Sequence, residues 1–394
     1  MSALEIIFWT GIAIIFYSYL GYGLILFALV KIKRLFKQPQ PLPDKYDLPT
    51  VSLIVPCYNE ASIISGKIKN CKALSYPKEK LEIIFITDGS TDGSDQMAAM
   101  DEDIVVMHQS ARKGKSEAEN RSVRNAKGEI IVLSDANTML QHTALKELIK
   151  HYQNKNVGAV SGEKRILQDE KENAAGAGEG VYWKYESLLK KWDAELNTVV
   201  GAAGELFSFR KELFMDLEED TVLDDFILSL RIAEKGYQVM YEPNAFALET
   251  SSANTTEELK RKVRICAGAW QAIIRLKSLL NPVHHPLLTF QYISHRVLRW
   301  TLAPLFLLFL FPLNIGLINE GILYQLVLLS QIFFYASAFA GLYYESKQVR
   351  VKLFFVPYYF MMMNYAAVAG CIRYFKGNQS AAWERSARKA VQPV

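Results

Sequence analysis

Cysteine is scarce in this chain and is not arranged to bind metal or to crosslink. The four cysteines among 394 residues, Cys57, Cys71, Cys266 and Cys371, lie far apart with no C-x-x-C pair. That spacing argues against a zinc site and a disulfide framework, and it fits a reducing compartment. Strong charge of either sign is missing as well. Lys and Arg number 45 against 41 Asp and Glu, a net +4 that is too small to suggest a nucleic-acid partner. Internal repeats and low-complexity tracts are also lacking. What the chain does hold is 50% hydrophobic and 12% aromatic residues beside 22% charged ones, so polar and apolar regions must be segregated. The length suits one large domain plus membrane segments.

The apolar residues concentrate at the ends. Ile6 to Val30 is interrupted only by Thr, Ser, Gly and Tyr, and Lys31, Ile32, Lys33 and Arg34 follow at once. Such a run is long enough to cross a hydrocarbon core of about 30 Å at about 1.5 Å per residue. A cleaved signal peptide would need a basic start and a small-residue cleavage site. Here Glu5 precedes the run and the basic cluster follows it, which favours an uncleaved anchor with Lys31–Lys37 on the cytoplasmic side. Gln38–Thr50 carries Pro39, Pro41, Pro43 and Pro49 and reads as a stiff spacer. Three further spans are expected at Val297–Ile318, Ile322–Tyr344 and Leu353–Ile372. Three spans would put the C-terminal tail outside, although it carries Arg373, Lys376, Arg385, Arg388 and Lys389. Either the last segment is re-entrant or the positive-inside rule fails there.

Between the ends, short apolar runs alternate with helical stretches. Strands are expected at Val51–Pro56, Leu81–Thr87, Ile104–Met107, Ile130–Ser134 and Val157–Ser161. Helices are expected at Ser94–Met100, Ser116–Ala126, Leu140–His151 and Val181–Trp192, with another beginning near Phe226. This alternation predicts an α/β domain with a mostly parallel sheet and right-handed crossovers. Two strands end in clustered polar residues, Asp88-Gly89-Ser90-Thr91-Asp92 and Ser134-Asp135-Ala136-Asn137. In open α/β sheets that edge is where ligands bind. Carboxylates gathered there suit a hard cation and a charged, hydroxyl-rich ligand.

Five motifs in order carry a family likeness: Pro56-Cys57-Tyr58-Asn59-Glu60, the Asp88–Asp92 segment, Gly114-Lys115, Ser134–Asn137 and Asp224-Asp225. From Pro49 to about Trp270 the chain resembles membrane-bound family-2 glycosyltransferases with a GT-A fold. Its flanking membrane segments resemble those of cellulose, hyaluronan and poly-N-acetylglucosamine synthases. The resemblance implies a nucleotide-sugar site containing Pro56, Tyr58, Glu60, Asp88, Lys115 and Asp135. Glu60 and Asp88 can accept hydrogen bonds from a base or ribose, although an Asp at such a turn can equally cap the backbone. Lys115 can reach a diphosphate as a point charge, with Arg112 nearby.

Asp135-x-Asn137 stands where the family has a D-x-D that bridges Mg²⁺ or Mn²⁺ to the donor phosphates. Asn137 is neutral, so metal holding rests on Asp135, and an Asp at 137 is expected to preserve or tighten it. Asn137 could also cap the Leu140–His151 helix. Asp225 matches the family's catalytic base, which takes the acceptor's proton in an inverting transfer. Asp224 and Asp225 could instead favour a helix start through the macrodipole. The helical pattern of Leu259, Val263, Cys266, Trp270 and Ile273, with Lys260, Arg261, Lys262 and Arg264, describes an amphipathic helix on the membrane surface. In processive synthases this segment reads Q-x-x-R-W. Here only Arg264 matches, with Arg261 and Trp270 as weaker candidates at the diphosphate and acceptor, or the arginines bind membrane alone.

The expected organisation is an anchor over 1–36, a linker over 37–50 and a cytoplasmic transferase domain over 51–252. Amphipathic helices over 253–296, transmembrane helices over 297–376 and a basic tail over 377–394 complete it. The expected partners are a nucleotide-diphosphate sugar, UDP-linked by resemblance, a lipid-linked or glycan acceptor, and the plasma-membrane bilayer. Single-sugar transfer to a polyprenyl phosphate and an inactive scaffold are the alternatives.

Overall fold

Residues with no polar atom at successive positions must be covered on both faces, and Val51–Cys57 (β1) is buried throughout. In the computed structural model, which describes residues 1–37, 46–167, 176–250, 255–347, 349 and 351–377, β1 lies inside an eight-stranded sheet. The other strands are Leu81–Asp88 (β2), Ile104–Gln109 (β3), Ile130–Leu133 (β4), Met139–Leu140 (β5), Val157–Leu167 (β6), Phe207–Arg210 (β7) and Gln238–Thr250 (β8). Their order is β3-β2-β1-β4-β7-β6-β8-β5. The first four are mutually parallel, β7 enters antiparallel to both neighbours, β6 and β8 are parallel, and β5 closes the edge antiparallel.

Alternate residues feed two cores. Ile54, Ile84, Ile86, Ile131 and Phe207 face the helices Lys115–Asn125 and Asp224–Glu234. Leu53, Val55, Phe85 and Val132 face the helices Ala61–Lys72 and Ala144–Ile149. Rigid strands therefore end in loops along one edge of the sheet, where the polar motifs sit.

The N-terminal helix runs from Ala3 to Phe36 and is long and apolar enough to span a membrane. It loosens into a π turn at Tyr17–Gly21, where Arg299 and Tyr185 donate to the carbonyls of Ser18 and Tyr19 at 2.7 and 2.9 Å. Side chains that capture helix carbonyls open the i→i−4 ladder in this way. Two C-terminal helices, Ile322–Ser346 and Lys352–Phe375, also qualify as spans.

The straight span expected over Val297–Ile318 is not what forms. Pro286–Trp300 and Leu302–Gly316 meet at a 46° bend, centred on Thr301 with φ −121° and ψ −85°. Pro304 explains the break, since its ring would strike the carbonyl four residues earlier in a continuous helix. The last helix is not simply a lipid-facing span either. Ala366 and Ala367 pack with Cys266 on the helix Thr255–Arg275. A Cβ on Gly370 would lie 2.5 Å from the Cβ of Cys266, so only glycine permits the approach. Pro39, Pro41, Pro43, residues 251–254 at the expected domain junction, Arg350 and the tail from 378 onward lie outside the described residues.

Candidate active site

The first two motifs are stitched together by their own polar side chains. Asn59 turns left-handed at the end of β1, with φ 55°. Its amide oxygen accepts from Thr91 N at 2.8 Å, and its N–H donates to Ser90 Oγ at 3.1 Å. Asp92 accepts from Ala61 N at 2.9 Å, and Ser94 Oγ accepts from Glu60 N at 2.9 Å. Pro56 and Cys57 close the buried strand β1 and hand the chain to half-buried Tyr58 and Glu60. Asp88 is buried and accepts from Lys113 N at 3.0 Å and Gly114 N at 2.7 Å, clamping the loop before Lys115. The backbone-capping role open to Asp88 from sequence is thus its contact here. Gly89 has φ +68°, and a Cβ there would meet Arg112 Cβ at 2.8 Å. That closeness seats the Arg112 guanidinium 3.8 Å from the centre of the Tyr58 ring, a flat cationic platform at the strand ends.

Lys115 begins its helix and points to a cluster of carboxylates. Its Nζ lies 3.3 Å from Asp135 at the end of β4 and 3.0 Å from Asp224 at the start of the helix Asp224–Glu234. Glu119, one turn on, is 3.5 Å away. Burial alone would lower the lysine's pKa, but Asp135, Asp224, Glu119 and Asp225 hold it well above its usual value. Burial and the charge of Asp224 push the Glu119 carboxyl well above the carboxylate range, against the pull of Lys115. Asp224 moves the other way: burial opposes its ionisation, but Lys115 outweighs it.

Asp225 is raised to about 8, first by burial and then by the charge of Asp224, with Lys115 pulling the other way. A carboxylate so placed is a base near neutral pH. Both aspartates lie in the first helical turn behind Leu223 at the N-cap, where acidic side chains favour the helix start, and Asp225 accepts from the Phe226 backbone N–H. Phe226 beside them packs on Trp300 of the bent helix pair, with ring centres 5.1 Å apart.

Asn137 does not cap a helix. Leu140 belongs to β5, and the next helix starts at Ala144 behind Thr143. The Asn137 amide nitrogen instead donates to Glu249 Oε1 at 3.0 Å. Glu249 pairs with buried Lys164, whose Nζ is also 2.7 Å from Glu205. Beneath the loop, fully buried Lys67 donates to Ser134 Oγ and the Thr138 carbonyl, each at 2.8 Å. Burial lowers its pKa.

Sequence patterns missed Glu119, Lys67, Lys164, Glu205 and Glu249. Only Glu119 left a signal, its i,i+4 spacing from Lys115. Arg261 pairs with Glu258 at 3.2 Å, and Glu205 contributes to its electrostatics. Arg264 lies half-buried on the same helix. Trp270 stands against Phe375 of the last helix, with ring centres 5.5 Å apart.

Among the described residues, no group of three His, Cys, Asp or Glu could hold a metal. Asp135 and the Asn137 amide oxygen, left as an acceptor while the amide nitrogen bonds Glu249, are oxygen donors of the type Mg²⁺ or Mn²⁺ takes. Magnesium is commonly held by one or two carboxylates completed by substrate phosphates.

Residues 52–218 match the profile of glycosyl transferase family 2. That segment is similar to family-2 glycosyltransferase domains. Poly-beta-1,6-N-acetyl-D-glucosamine synthase of Staphylococcus aureus strain COL is 26% identical over 263 residues, covering 64% of this chain and 62% of the synthase. The synthase of the same name from Staphylococcus epidermidis is 24% identical over 233 residues, 57% of this chain and 56% of that one. The chain therefore spans less than two thirds of these relatives' length. A mannosyltransferase from Pyrobaculum calidifontis, solved with GDP-Man and Mn²⁺, superposes with a TM-score of 0.71 at 23% identity. The superposition covers 94% of this chain and 99% of the other, and it shows the GT-A fold. Asp225 and the Arg261–Trp270 region lie beyond the matched family-2 segment.

Proposed function

We propose that the protein is a membrane-bound inverting glycosyltransferase. It moves a sugar from a nucleotide-diphosphate sugar to a lipid-linked or growing glycan acceptor on the cytoplasmic face of the plasma membrane. The observation that carries this reading is the convergence of Lys115, Asp135 and the Asp224-Asp225 pair from three separate elements.

The Tyr58–Arg112 platform and the Asp88-clamped loop support the nucleotide, and Lys115 takes the diphosphate charge. Asp135 and Asn137 would hold a divalent ion, which when bound would supply Lewis-acid stabilisation of the leaving phosphate. The acceptor oxygen attacks the sugar's C1 from the face opposite the diphosphate. Its proton passes to an Asp225 carboxylate oxygen as the new C–O bond forms, and the old bond's electron pair departs with the β-phosphate. Basic groups at Lys115 then balance the leaving charge.

Single-sugar transfer to a membrane lipid is favoured over a secreted chain by one observation. The first C-terminal segment is bent, and the last helix packs on Thr255–Arg275, which leaves few unpaired helices to line a channel. Detergent-purified protein should release nucleotide from one member of a panel including UDP-N-acetylglucosamine and GDP-mannose, faster when membrane lipid extract is added. Release from no donor, with or without lipid, would leave the scaffold reading standing.

A further inference from the structure

Lys115 is held between the carboxylates of Asp224 and Asp135 and lies against the Glu119 carboxyl, which burial and Asp224 push well above the carboxylate range. Asp224 Oδ2 at 3.0 Å, Asp135 Oδ1 at 3.3 Å and Glu119 Oε1 at 3.5 Å surround its Nζ. Asp224 and Glu119 are both buried, and Glu119 shares a hydrogen bond with Asp224 beside the ammonium. Asp135 is also the carboxylate on which metal holding rests. One carboxylate cannot carry a lysine ammonium and a divalent ion together without setting two cations a few ångströms apart, where their repulsion is large.

We propose that Lys115 is a built-in counter-ion that closes the Asp135 cation site until a diphosphate arrives. Phosphate oxygens draw the ammonium away from Asp135, so the metal enters with the donor and not ahead of it. Glu119 and Asp224 keep the lysine within reach for its return when nucleotide leaves. This inference rests on the nucleotide-sugar reading of the site and makes the order of binding a property of this chain's own residues.

The test is Mn²⁺ binding to the full-length protein in detergent, read by electron paramagnetic resonance of the free ion, with no nucleotide and with UDP or GDP. Wild type should bind Mn²⁺ at least about tenfold more tightly with the bound nucleotide present, the scale set by one unit charge moving a few ångströms. Lys115→Met should bind Mn²⁺ without nucleotide at least about tenfold more tightly than wild type and lose most of the nucleotide dependence. A gain of affinity cannot come from misfolding, and thermal unfolding of the variant checks its integrity. Lys115→Met that gains nothing, or wild type that binds UDP or GDP yet holds Mn²⁺ equally with and without it, overturns the proposal. Should Lys115→Met not fold, Lys115→Gln, which keeps a polar tip without the charge, takes its place with the same expectation, and Lys115→Arg should behave as wild type. Neither nucleotide binding to wild type, with Lys115→Met still gaining Mn²⁺ affinity, would instead sink the nucleotide-sugar reading and leave the counter-ion intact.

Discussion

The two halves of the sheet hold their polar residues by different means. In the β3-β2-β1-β4 half, short side chains bond backbone groups of neighbouring loops, as Asp88 does at Gly114 and Asn59 at Thr91. In the β7-β6-β8 half, buried charges far apart in sequence hold one another, with Lys164 between Glu205 and Glu249. In the proposed function the first half is the preformed frame that receives the nucleotide. The second sets electrostatics around the base and the Asn137 loop. Geometry governs one side and charge the other, so substitutions should separate them.

The largest effect is expected at Asp135, where the halves meet. Asp135→Ala should reduce transfer to background, while excess chelator should do the same to wild type. Full turnover with chelator present would remove the metal from the account.

Asp225→Asn keeps the shape and removes the proton acceptor. Turnover should fall by about 10²–10⁴, the range for general acid–base catalysis, with nucleotide affinity unchanged. Asp224→Asn should cost less, since it loses only the ion pair with Lys115. Equal, mild losses at both positions would move the proton transfer elsewhere. The same carboxyl sets a pH dependence. With Asp225 raised to about 8, kcat/KM should climb with pH up to that region, by about tenfold per unit below it. A profile flat from pH 5 to 8 would contradict this.

The sign for stability is the reverse. A folded-state pKa above the unfolded one gives stability that is full below the unfolded value and is lost as pH rises through about 8. Asp225→Asn should therefore raise the melting temperature of ligand-free protein more at pH 8 than at pH 5.

Charge on the β8 side yields a smaller effect. From sequence, Asn137→Asp reads as neutral or tightening for metal. The contact with Glu249 argues the other way, because an aspartate there loses the donor and faces a like charge. Mn²⁺ affinity in the presence of nucleotide should drop by about 10–100-fold, the usual cost of disturbing an outer partner of a metal ligand. Adding Glu249→Gln should restore most of it. The smallest effect is expected for Trp270→Ala, which should lower the melting temperature by a few degrees through lost contact with Phe375 while leaving acceptor KM unchanged. A raised KM without loss of stability would return Trp270 to the acceptor.

Sequence patterns revealed the frame because each piece is local. Apolar runs mark β1, β2 and β4, and the polar residues at their ends follow within a few positions. The π turn and the bend at Thr301 were hidden because they depend on Arg299, Tyr185 and Pro304 acting on distant or continuous helix. The helix after β4 begins later than its apolar pattern suggested, since Leu140 pairs with Ala247 in the sheet. Lys67, Lys164 and Glu249 carry no motif. A buried charge is defined by what surrounds it, and the partners of Lys67 lie 67 to 71 positions away.

The most direct test of the central claim, that Asp225 drives a single inverting displacement, is the anomeric configuration of the product. With the active nucleotide sugar and its acceptor, proton nuclear magnetic resonance should show an α-linked donor becoming a β-linked product in wild type. Product of retained α configuration would contradict the account, because a single attack assisted by Asp225 from the face opposite the diphosphate cannot produce it.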